Sequence, residues 1–508
     1  MGSVKLNTKK IIQMKTKRSS GILLHITSLP GNYGIGTMGK EAYRFVDFLV
    51  ESGQKIWQIL PLGHTGYGDS PYQCYSAFAG NPLLIDLDKL TDEGLLKKDD
   101  LPVNLYFDDE NVDYGKVHDT KYPLLRKAYE NYKDQKNKLR AIRFASFCQN
   151  HSKWIEDYAF FMALKKHFKG VAWTDWEDDI KLKKQSSLDY YKEQLKDDIN
   201  YYRFIQFLFF QQWLELKAYA NLNGIQVIGD IPLYVAFDSS DAWANPEIFD
   251  FDERMNPVNV AGVPPDYFSE TGQLWGNPLY NWKQLKQTGY QWWIDRVEAN
   301  FTLYDVLRID HFRGLAAYWA VPFGEKTAIN GRWIEAPGGE MLQAVFDALG
   351  QMPIIAEDLG VITPDVVELC TRFGLPGMKI LQFAFDSGEE NDFMPHTFDK
   401  NCVVYTGTHD NDTTLGQYKQ SKDSDKLLMN DYFGVNEKDP AWSFIRLAWA
   451  SVGDVAIAPL QDVLRLDTQA RMNFPGKASG YWKWRYSSSQ LTEKHADELM
   501  KITKLYGR

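Results

Sequence analysis

The chain has 508 residues and a formal net charge of −10, with 44% hydrophobic and 24% charged residues. A chain of this length and composition can bury a large core. Its acidic balance argues against nucleic acid and against an anionic membrane surface, because both need a concentrated basic face. No apolar run reaches the roughly 18 residues of a membrane-spanning helix. These numbers exclude classes of partner without identifying a substrate.

The four cysteines lie far apart and form no CxxC pair: Cys74, Cys148, Cys370 and Cys402. This spacing predicts neither a disulfide scaffold nor a clustered zinc site, so reduced thiols in a cytoplasmic protein are the simplest interpretation. The basic N-terminal segment precedes an apolar run, residues 21–26, that is too short for a signal sequence. A cytoplasmic location is therefore expected.

Eight short apolar segments recur along the chain, each followed by small or polar residues. They have four to seven residues, too few for helices, and their Ile, Val and Leu content is typical of buried parallel strands. Helical patterns lie between several of them, as at 42–51, 202–220 and 363–373. This alternation predicts an α/β fold, a (β/α)8 TIM barrel with large helical and loop insertions. The predicted strands are 21–26, 55–60, 225–231, 305–309, 353–356, 378–383, 402–406 and 455–460.

Two spacings between the predicted strands are unusually long. Residues 90–196 are rich in Lys, Asp and Tyr and are predicted to form an inserted helical subdomain. Residues 236–300 are dense in Asn, Pro, Gly and Trp and are predicted to form an inserted loop over the active-site mouth. Because no linker or repeat is evident, residues 18–508 are expected to form a single catalytic barrel.

Carboxylates follow the predicted strands at the end where barrel enzymes have their active sites. Asp310 follows the fourth strand, Glu357 the fifth and Asp410 the seventh. Glycosidic cleavage needs two carboxyl groups in different states, one ionised and one protonated. Arg308, two residues before Asp310 and so on the same face of the strand, is expected to hold Asp310 ionised. Glu357 leaves an apolar strand and is the better candidate for a raised pKa.

Each of these residues also has a structural interpretation. A single Asp at a strand end more often caps a helix or joins an ion pair, and Asp358 and Asp412 keep that interpretation. A lone histidine such as His311 is more often a packing residue than a catalyst. The sequence shows no metal-binding cluster and no serine-hydrolase or nucleotide-binding motif. The joint placement of three acids after separate strands favours catalysis.

Ten motifs follow one another along the chain, at residues 20–22, 28–31, 68–73, 229–232, 262–266, 272–278, 308–314, 356–360, 407–413 and 471–476. In this collinear order, from about residue 19 to 486, the chain resembles the 4-α-glucanotransferases called amylomaltases or disproportionating enzymes, glycoside hydrolase family 77 of the α-amylase clan. The Arg-x-Asp, Glu and His-Asp motifs mark the whole clan. The motifs at 262–266 and 272–278 are particular to this family.

The resemblance implies a retaining transfer of an α-1,4-glucan segment to the 4-hydroxyl of an acceptor glucose or glucan, through a covalent glycosyl-aspartate. It implies Asp310 as the nucleophile, Glu357 as the general acid and base, and Asp410 as the carboxylate that grips the hydroxyls of the attacked sugar. Arg308 and His409 would contact the same sugar. The implied partners are maltooligosaccharides, glucose and α-1,4-glucans, and the family needs no cofactor and no metal.

The resemblance also implies a set of substrate-binding residues around these acids. Tyr72 would stack near the cleavage point. The residues implied to line neighbouring subsites are Ser70, Asp230, Gln273, Trp275, Phe383 and Asn473.

Two other functions remain open from the sequence. A net hydrolase of the amylase type would share all three acids, so only the segment around Trp275 and the product pattern distinguish it from a transferase. A glucan-binding scaffold with an inactive barrel would be marked by loss of a carboxylate, and all three carboxylates are present.

Overall fold

Eight parallel strands form a barrel at the centre of the computed structural model, which describes residues 18–66, 68–102, 105–265, 269–386, 391–477 and 479–508. Each strand overlaps one predicted segment, so the predicted barrel fold is confirmed. The strands are β1 Ser19–Leu23, β2 Ile56–Gln58, β3 Gln226–Pro232, β4 Val306–Asp310, β5 Ile354–Ala356, β6 Gly377–Ile380, β7 Cys402–Tyr405 and β8 Val455–Pro459.

The strands pair in the order β6-β7-β8-β1-β2-β3-β4-β5, and every pair is parallel. Between β5 and β6 the Ala356 amide donates to the Pro376 carbonyl over 3.0 Å, which brings the two ends of the sheet together. Side chains on both faces of most strands are buried, which explains why these strands are continuous apolar runs in the sequence; β6, where Lys379 is half-buried, is an exception.

Helices surround the barrel. Pro364–Phe373 shows how the sequence sets their ends: a proline occupies its first turn, and Gly374 ends it in the left-handed conformation with φ 65°. The crossover from β6 to β7 contains the 3-10 turns Leu381–Phe383 and Pro395–Thr397. The surrounding α-helices are Lys40–Glu51, Lys196–Leu222, Gln291–Leu303, Gly338–Leu349, Pro364–Phe373, Thr414–Gln420, Asp423–Phe433, Pro440–Ala450, Leu460–Val463 and Glu493–Tyr506.

Further helices lie between β2 and β3. They pack on Lys196–Leu222 through aromatic rings; Tyr132, for example, stacks on Phe204 with ring centroids 4.5 Å apart. Most of their buried apolar residues join the same hydrophobic core as the barrel strands, while Tyr114 and Val117 belong to a smaller separate cluster. The subdomain boundary at 90–196 stays a prediction. These helices are Leu87–Asp92, Tyr114–Asp134, Lys138–Asn150, Ile155–His167, Asp178–Lys181 and Gln185–Gln194.

Residues 236–300 contain more secondary structure than the predicted loop. Strands Asn259–Val263 and Gln273–Pro278 pair antiparallel, and a small four-stranded sheet is completed by Ala317–Pro322 and Arg332–Glu335. Their Gly and Pro content favours a loop, but Gly262 lies where the strand register shifts and Pro278 is the last residue of an edge strand, and sheets tolerate both residues at such places. Two short helices, Ser240–Ala244 and Trp282–Gln287, flank these strands. Asp266 of the family motif lies outside the described residues.

Candidate active site

Asp310, Glu357 and Asp410 lie at the C-terminal ends of β4, β5 and β7. Asp310 ends β4, Glu357 directly follows β5, and Asp410 lies five residues beyond β7. The His311 amide donates to Glu357 Oε2 over 2.6 Å, and the Leu359 amide donates to Oε1 over 3.0 Å. The residue after one candidate catalytic acid therefore holds the other acid in place.

His311 has an unusual backbone conformation that makes this link possible. Its φ is 54°, in the left-handed region that residues with a side chain rarely adopt. Such strain is often found at functional sites, where the surrounding structure enforces it. The His311 ring meets the Trp275 ring edge-on, with centroids 4.7 Å apart. His311 thus connects the end of β4 to Glu357 and to the small sheet, a role that its sequence context does not indicate.

Arg308 is a buried guanidinium shared by two carboxylates. It contacts Asp230 Oδ2 at 2.5 Å and Asp310 Oδ1 at 2.9 Å. Arg308 and Asp310 lie on the same face of β4, as the alternation of side chains along a strand requires. Because charged hydrogen bonds are strong inside a protein, Arg308 fixes the orientation of the Asp310 carboxyl group.

The pKa values of both central acids are raised, and burial is the largest cause for each. Burial raises the pKa of Asp310 to about 7, and Arg308 lowers it only in part. Burial also raises the pKa of Glu357 well above its usual range, and the nearby charge of Asp310 raises it further. The sequence predicts that Arg308 holds Asp310 ionised; the salt bridge is present, but desolvation outweighs it. Asp310 is still the first of the two to ionise, because Arg308 bonds Asp310 directly.

Asp410 belongs to a group of polar and aromatic side chains beside the acids. Its Oδ1 accepts a hydrogen bond from Asn473 Nδ2 over 2.7 Å, and its Oδ2 lies 3.5 Å from His409 Nε2. Burial lowers the pKa of His409, which favours the neutral imidazole. The Tyr72 ring stacks on His409 with centroids 5.2 Å apart, and its hydroxyl donates to Asp230 Oδ2 over 2.7 Å. The structure therefore brings these predicted site residues together.

Trp482 is also part of this group, although no sequence pattern points to it. Its ring lies 5.7 Å from Tyr72 and 5.8 Å from His409, measured between centroids. Its φ is 66°, a second left-handed residue beside the site, and its carbonyl accepts the Tyr114 hydroxyl hydrogen bond over 2.8 Å. Tyr114 begins an inserted helix, so the insertion supports the wall of the site. Trp482 stands between Tyr481 and Trp484 in a segment without regular structure, and this context carries no sequence signal for the role.

Gln273 and Trp275 lie together on the strand of the small sheet. The Trp275 indole nitrogen donates to Gln273 Oε1 over 3.1 Å. Since Trp275 also contacts His311, this strand approaches the end of β4. A flat ring beside the candidate catalytic acids suits the apolar face of a sugar.

The remaining predicted residues lie nearby, and their roles stay predictions. Ser70 Oγ accepts a hydrogen bond from the Tyr72 amide over 3.2 Å, so it shapes the turn that carries Tyr72. Phe383 lies just after β6, where its ring meets Phe393 edge-on at 5.5 Å between centroids.

Asp358 and Asp412 take part in structural hydrogen bonds. Asp358 Oδ1 accepts from the Met378 amide over 2.7 Å, and Asp412 Oδ2 accepts from the Thr468 hydroxyl over 2.9 Å. The first bond links the segment after β5 to β6, and the second links the segment after β7 to the segment after β8.

Two other features bear on the chemistry that the chain can perform. All four cysteines are unpaired. Among the described residues, no group of three or more His, Cys, Asp or Glu side chains could hold a metal ion, and no helix is long and apolar enough to cross a membrane.

A family model described as 4-α-glucanotransferase, glycoside hydrolase family 77, matches residues 24–492. The chain belongs to this family. It is 48% identical over 489 residues to the 4-α-glucanotransferase of Clostridium butyricum, covering 96% of this chain and 100% of that protein. It is 50% identical over 499 residues to the enzyme of Synechocystis sp., covering 97% and 99%. These findings confirm the resemblance.

A solved structure gives the same result for the fold of this 4-α-glucanotransferase family member. The amylomaltase from Streptococcus agalactiae, in complex with acarbose, superposes with a TM-score of 0.94 at 43% sequence identity, covering 97% of this chain and 100% of that chain. The barrel and its insertions are therefore shared along nearly the whole length of both proteins.

Proposed function

We propose that the chain transfers α-1,4-glucan segments by retaining double displacement, with Asp310 as the nucleophile and Glu357 as the general acid and base. The main observation behind this assignment is that residues at the end of β4 hold both acids. Arg308 forms a salt bridge with Asp310, and the backbone amide of His311, the residue after Asp310, donates a hydrogen bond to Glu357. Two adjacent carboxyl groups of unequal proton affinity are what this chemistry needs. The substrates proposed are maltooligosaccharides and longer α-1,4-glucans.

In the first step Asp310 attacks the anomeric carbon of the donor sugar. The bond to the glycosidic oxygen breaks as Glu357 gives that oxygen its proton. The shortened glucan leaves with a new 4-hydroxyl group, and the rest of the donor is β-linked to Asp310. Asp310 must be ionised and Glu357 protonated for this step, and the direct salt bridge from Arg308 to Asp310 supports that assignment.

In the second step Glu357, now ionised, takes the proton from the 4-hydroxyl of an acceptor glucose or glucan. The acceptor oxygen attacks the same carbon and Asp310 leaves as a carboxylate. Two inversions restore the α bond, and both acids return to their starting states.

Asp410 is assigned to the sugar that is attacked rather than to proton transfer. Asn473 holds its carboxyl group, so its orientation is fixed before substrate arrives. A carboxylate that accepts hydrogen bonds from sugar hydroxyls favours the distorted, transition-state-like ring, and such preorganisation is a main source of catalysis.

Transfer rather than hydrolysis requires that an acceptor sugar occupies the site in place of water. We assign this task to the strand that carries Trp275, because its ring lies against His311 and so beside both acids. Stacking holds the acceptor and displaces water from the same space.

Trp275→Ala should therefore lower the ratio of transfer to hydrolysis about tenfold, equivalent to about 1.4 kcal/mol of acceptor binding. The ratio is measured from maltotriose as longer products against newly formed reducing ends. Trp333→Ala, at another Trp of the small sheet that is 40% exposed, is the matched control and should leave the ratio unchanged. An unchanged ratio in Trp275→Ala would remove that residue from acceptor binding.

Maltotriose as sole substrate tests the proposed function directly. A transferase gives free glucose together with maltooligosaccharides longer than three units, with no net gain of reducing ends. A hydrolase of the amylase type gives glucose and maltose with reducing ends rising throughout. Reducing ends that rise without longer products would refute the proposal.

The dependence of transfer on pH should follow the two raised pKa values. Activity requires ionised Asp310, so kcat/KM should rise with pH through about 7. The value of kcat/KM should fall again at higher pH, where Glu357 loses its proton. Because the two acids interact, the apparent pKa values of the acid and alkaline limbs belong to the pair and not to either residue alone. With α-maltosyl fluoride as donor the first step needs no proton, so the alkaline limb of that step should disappear. A limb that persists would contradict the acid role of Glu357.

A further inference from the structure

Asp462 is a buried carboxylate just beyond β8 that none of the steps above uses. It lies in helix Leu460–Val463, and only 1% of the residue is exposed. A carboxyl group so far from solvent is costly unless other groups donate hydrogen bonds to it. The identity of those donors shows what Asp462 does.

Both ends of the segment that carries His409 and Asp410 donate to this one carboxyl group. The Thr406 hydroxyl donates to Asp462 Oδ2 over 2.6 Å. Thr414 donates through its amide to Oδ1 over 2.8 Å and through its hydroxyl to Oδ2 over 2.7 Å. Both threonines are fully buried. Because one precedes the segment and the other follows it, a single side chain fixes both ends.

Gln382 supports the same segment from the end of β6. Its amide nitrogen donates to the Asp412 carbonyl over 3.0 Å and to the Thr414 hydroxyl over 3.1 Å. The Thr414 hydroxyl thus accepts from Gln382 and donates to Asp462, which makes a continuous chain of hydrogen bonds across three barrel strands. Such chains are stiff in a buried environment, and removal of one member affects the others.

We propose that Asp462 is a positioning residue for the transfer reaction. It holds residues 407–413 in the position from which Asp410 can accept hydrogen bonds from the hydroxyls of the attacked sugar. Asp462 acts through the two threonines and does not touch the sugar. This inference rests on the role proposed for Asp410 in the transfer reaction.

Asp462→Asn tests the inference because it replaces one acceptor oxygen by an NH2 group. In either orientation that group faces a donor, the two hydroxyls at Oδ2 or the Thr414 amide at Oδ1. A small displacement of a catalytic group can cost up to about 100-fold in rate, so kcat for maltotriose transfer should fall about 10- to 100-fold. KM should change much less, since Asp410 is assigned to the transition state more than to the bound substrate. A loss of thermal stability with unchanged kcat would overturn the inference.

Asp305→Asn is the matched control. Asp305 precedes β4 at the opposite end of the barrel, where Oδ2 accepts from the Val227 amide over 2.8 Å and from Asn221 Nδ2 over 2.7 Å. It should lower the melting temperature and leave kcat unchanged. An equal fall of kcat in both variants would show a general effect of barrel destabilisation and would overturn the positioning role.

Thr406 gives a second test that does not depend on the folding of Asp462→Asn. Thr406→Ser keeps the hydroxyl and should retain most of kcat, whereas Thr406→Val keeps the shape without the hydroxyl and should lose about tenfold. Equal losses would overturn the inference. Wild-type enzyme on maltotriose reports separately on the proposed function: a wild type that makes longer products beside an unaffected Asp462→Asn rejects only the positioning role.

Discussion

Asp310→Asn should lower transfer from maltotriose by about four orders of magnitude or more, the scale of loss seen when an enzyme nucleophile is removed. The amide cannot form the glycosyl ester and carries no charge to meet the developing positive charge on the sugar. Folding should survive because Arg308 keeps its contact with Asp230. Turnover is measured by product analysis, and maltotriose binding, measured by calorimetry, should remain close to that of the wild type.

Asp358→Asn is the control for this change. Asp358 directly follows Glu357 and uses its carboxyl group to accept the Met378 amide hydrogen bond, which an asparagine can also accept. It should retain substantial activity. Turnover by Asp310→Asn comparable to the wild type would remove Asp310 from the nucleophile's role.

Glu357→Ala should lower transfer from maltotriose about 10²- to 10⁴-fold, the usual contribution of a general acid and base. The size of this loss of activity should depend on the leaving group of the donor and on the nucleophile that accepts the sugar. With α-maltosyl fluoride the first step should recover, because the leaving fluoride needs no proton. Added azide, an anion that needs no base, should then restore the second step by entering the space of the lost side chain.

The stereochemistry of the azide product distinguishes the roles of the two acids. Attack on a glycosyl-Asp310 intermediate gives the α-linked azide, which proton NMR identifies. A β-linked azide would mean direct displacement from the donor and would assign Glu357 a different role.

The positions of the proposed catalytic acids were predictable because they depend on short-range patterns. Apolar runs of four to seven residues located all eight strands, and the end of a parallel strand in a barrel is a fixed place in the fold. Asp310 and Glu357 therefore followed from the strands that carry them. The family motifs then assigned Tyr72, Asp230 and Asn473, which the structure brings next to the acids.

The features that the sequence did not reveal depend on tertiary contacts. The left-handed backbone of His311 and of Trp482 is enforced by surrounding structure, and neither residue type indicates it. The pKa of Asp310 is raised because burial outweighs Arg308, and burial at that depth is a property of the assembled barrel. The link from Asp462 to Thr406 joins residues 56 positions apart. The antiparallel strands in 236–300 were not predicted because their Gly and Pro content is typical of a loop.

The mass of enzyme caught between the two steps tests the assignment of Asp310 most directly. Glu357→Ala incubated with α-maltosyl fluoride should form the glycosyl-enzyme faster than it is consumed, since its second step lacks a base. Peptide mapping by mass spectrometry should then place one maltosyl group on the peptide that contains Asp310. A maltosyl group on any other carboxylate, or no adduct while fluoride is still released, would contradict the mechanism.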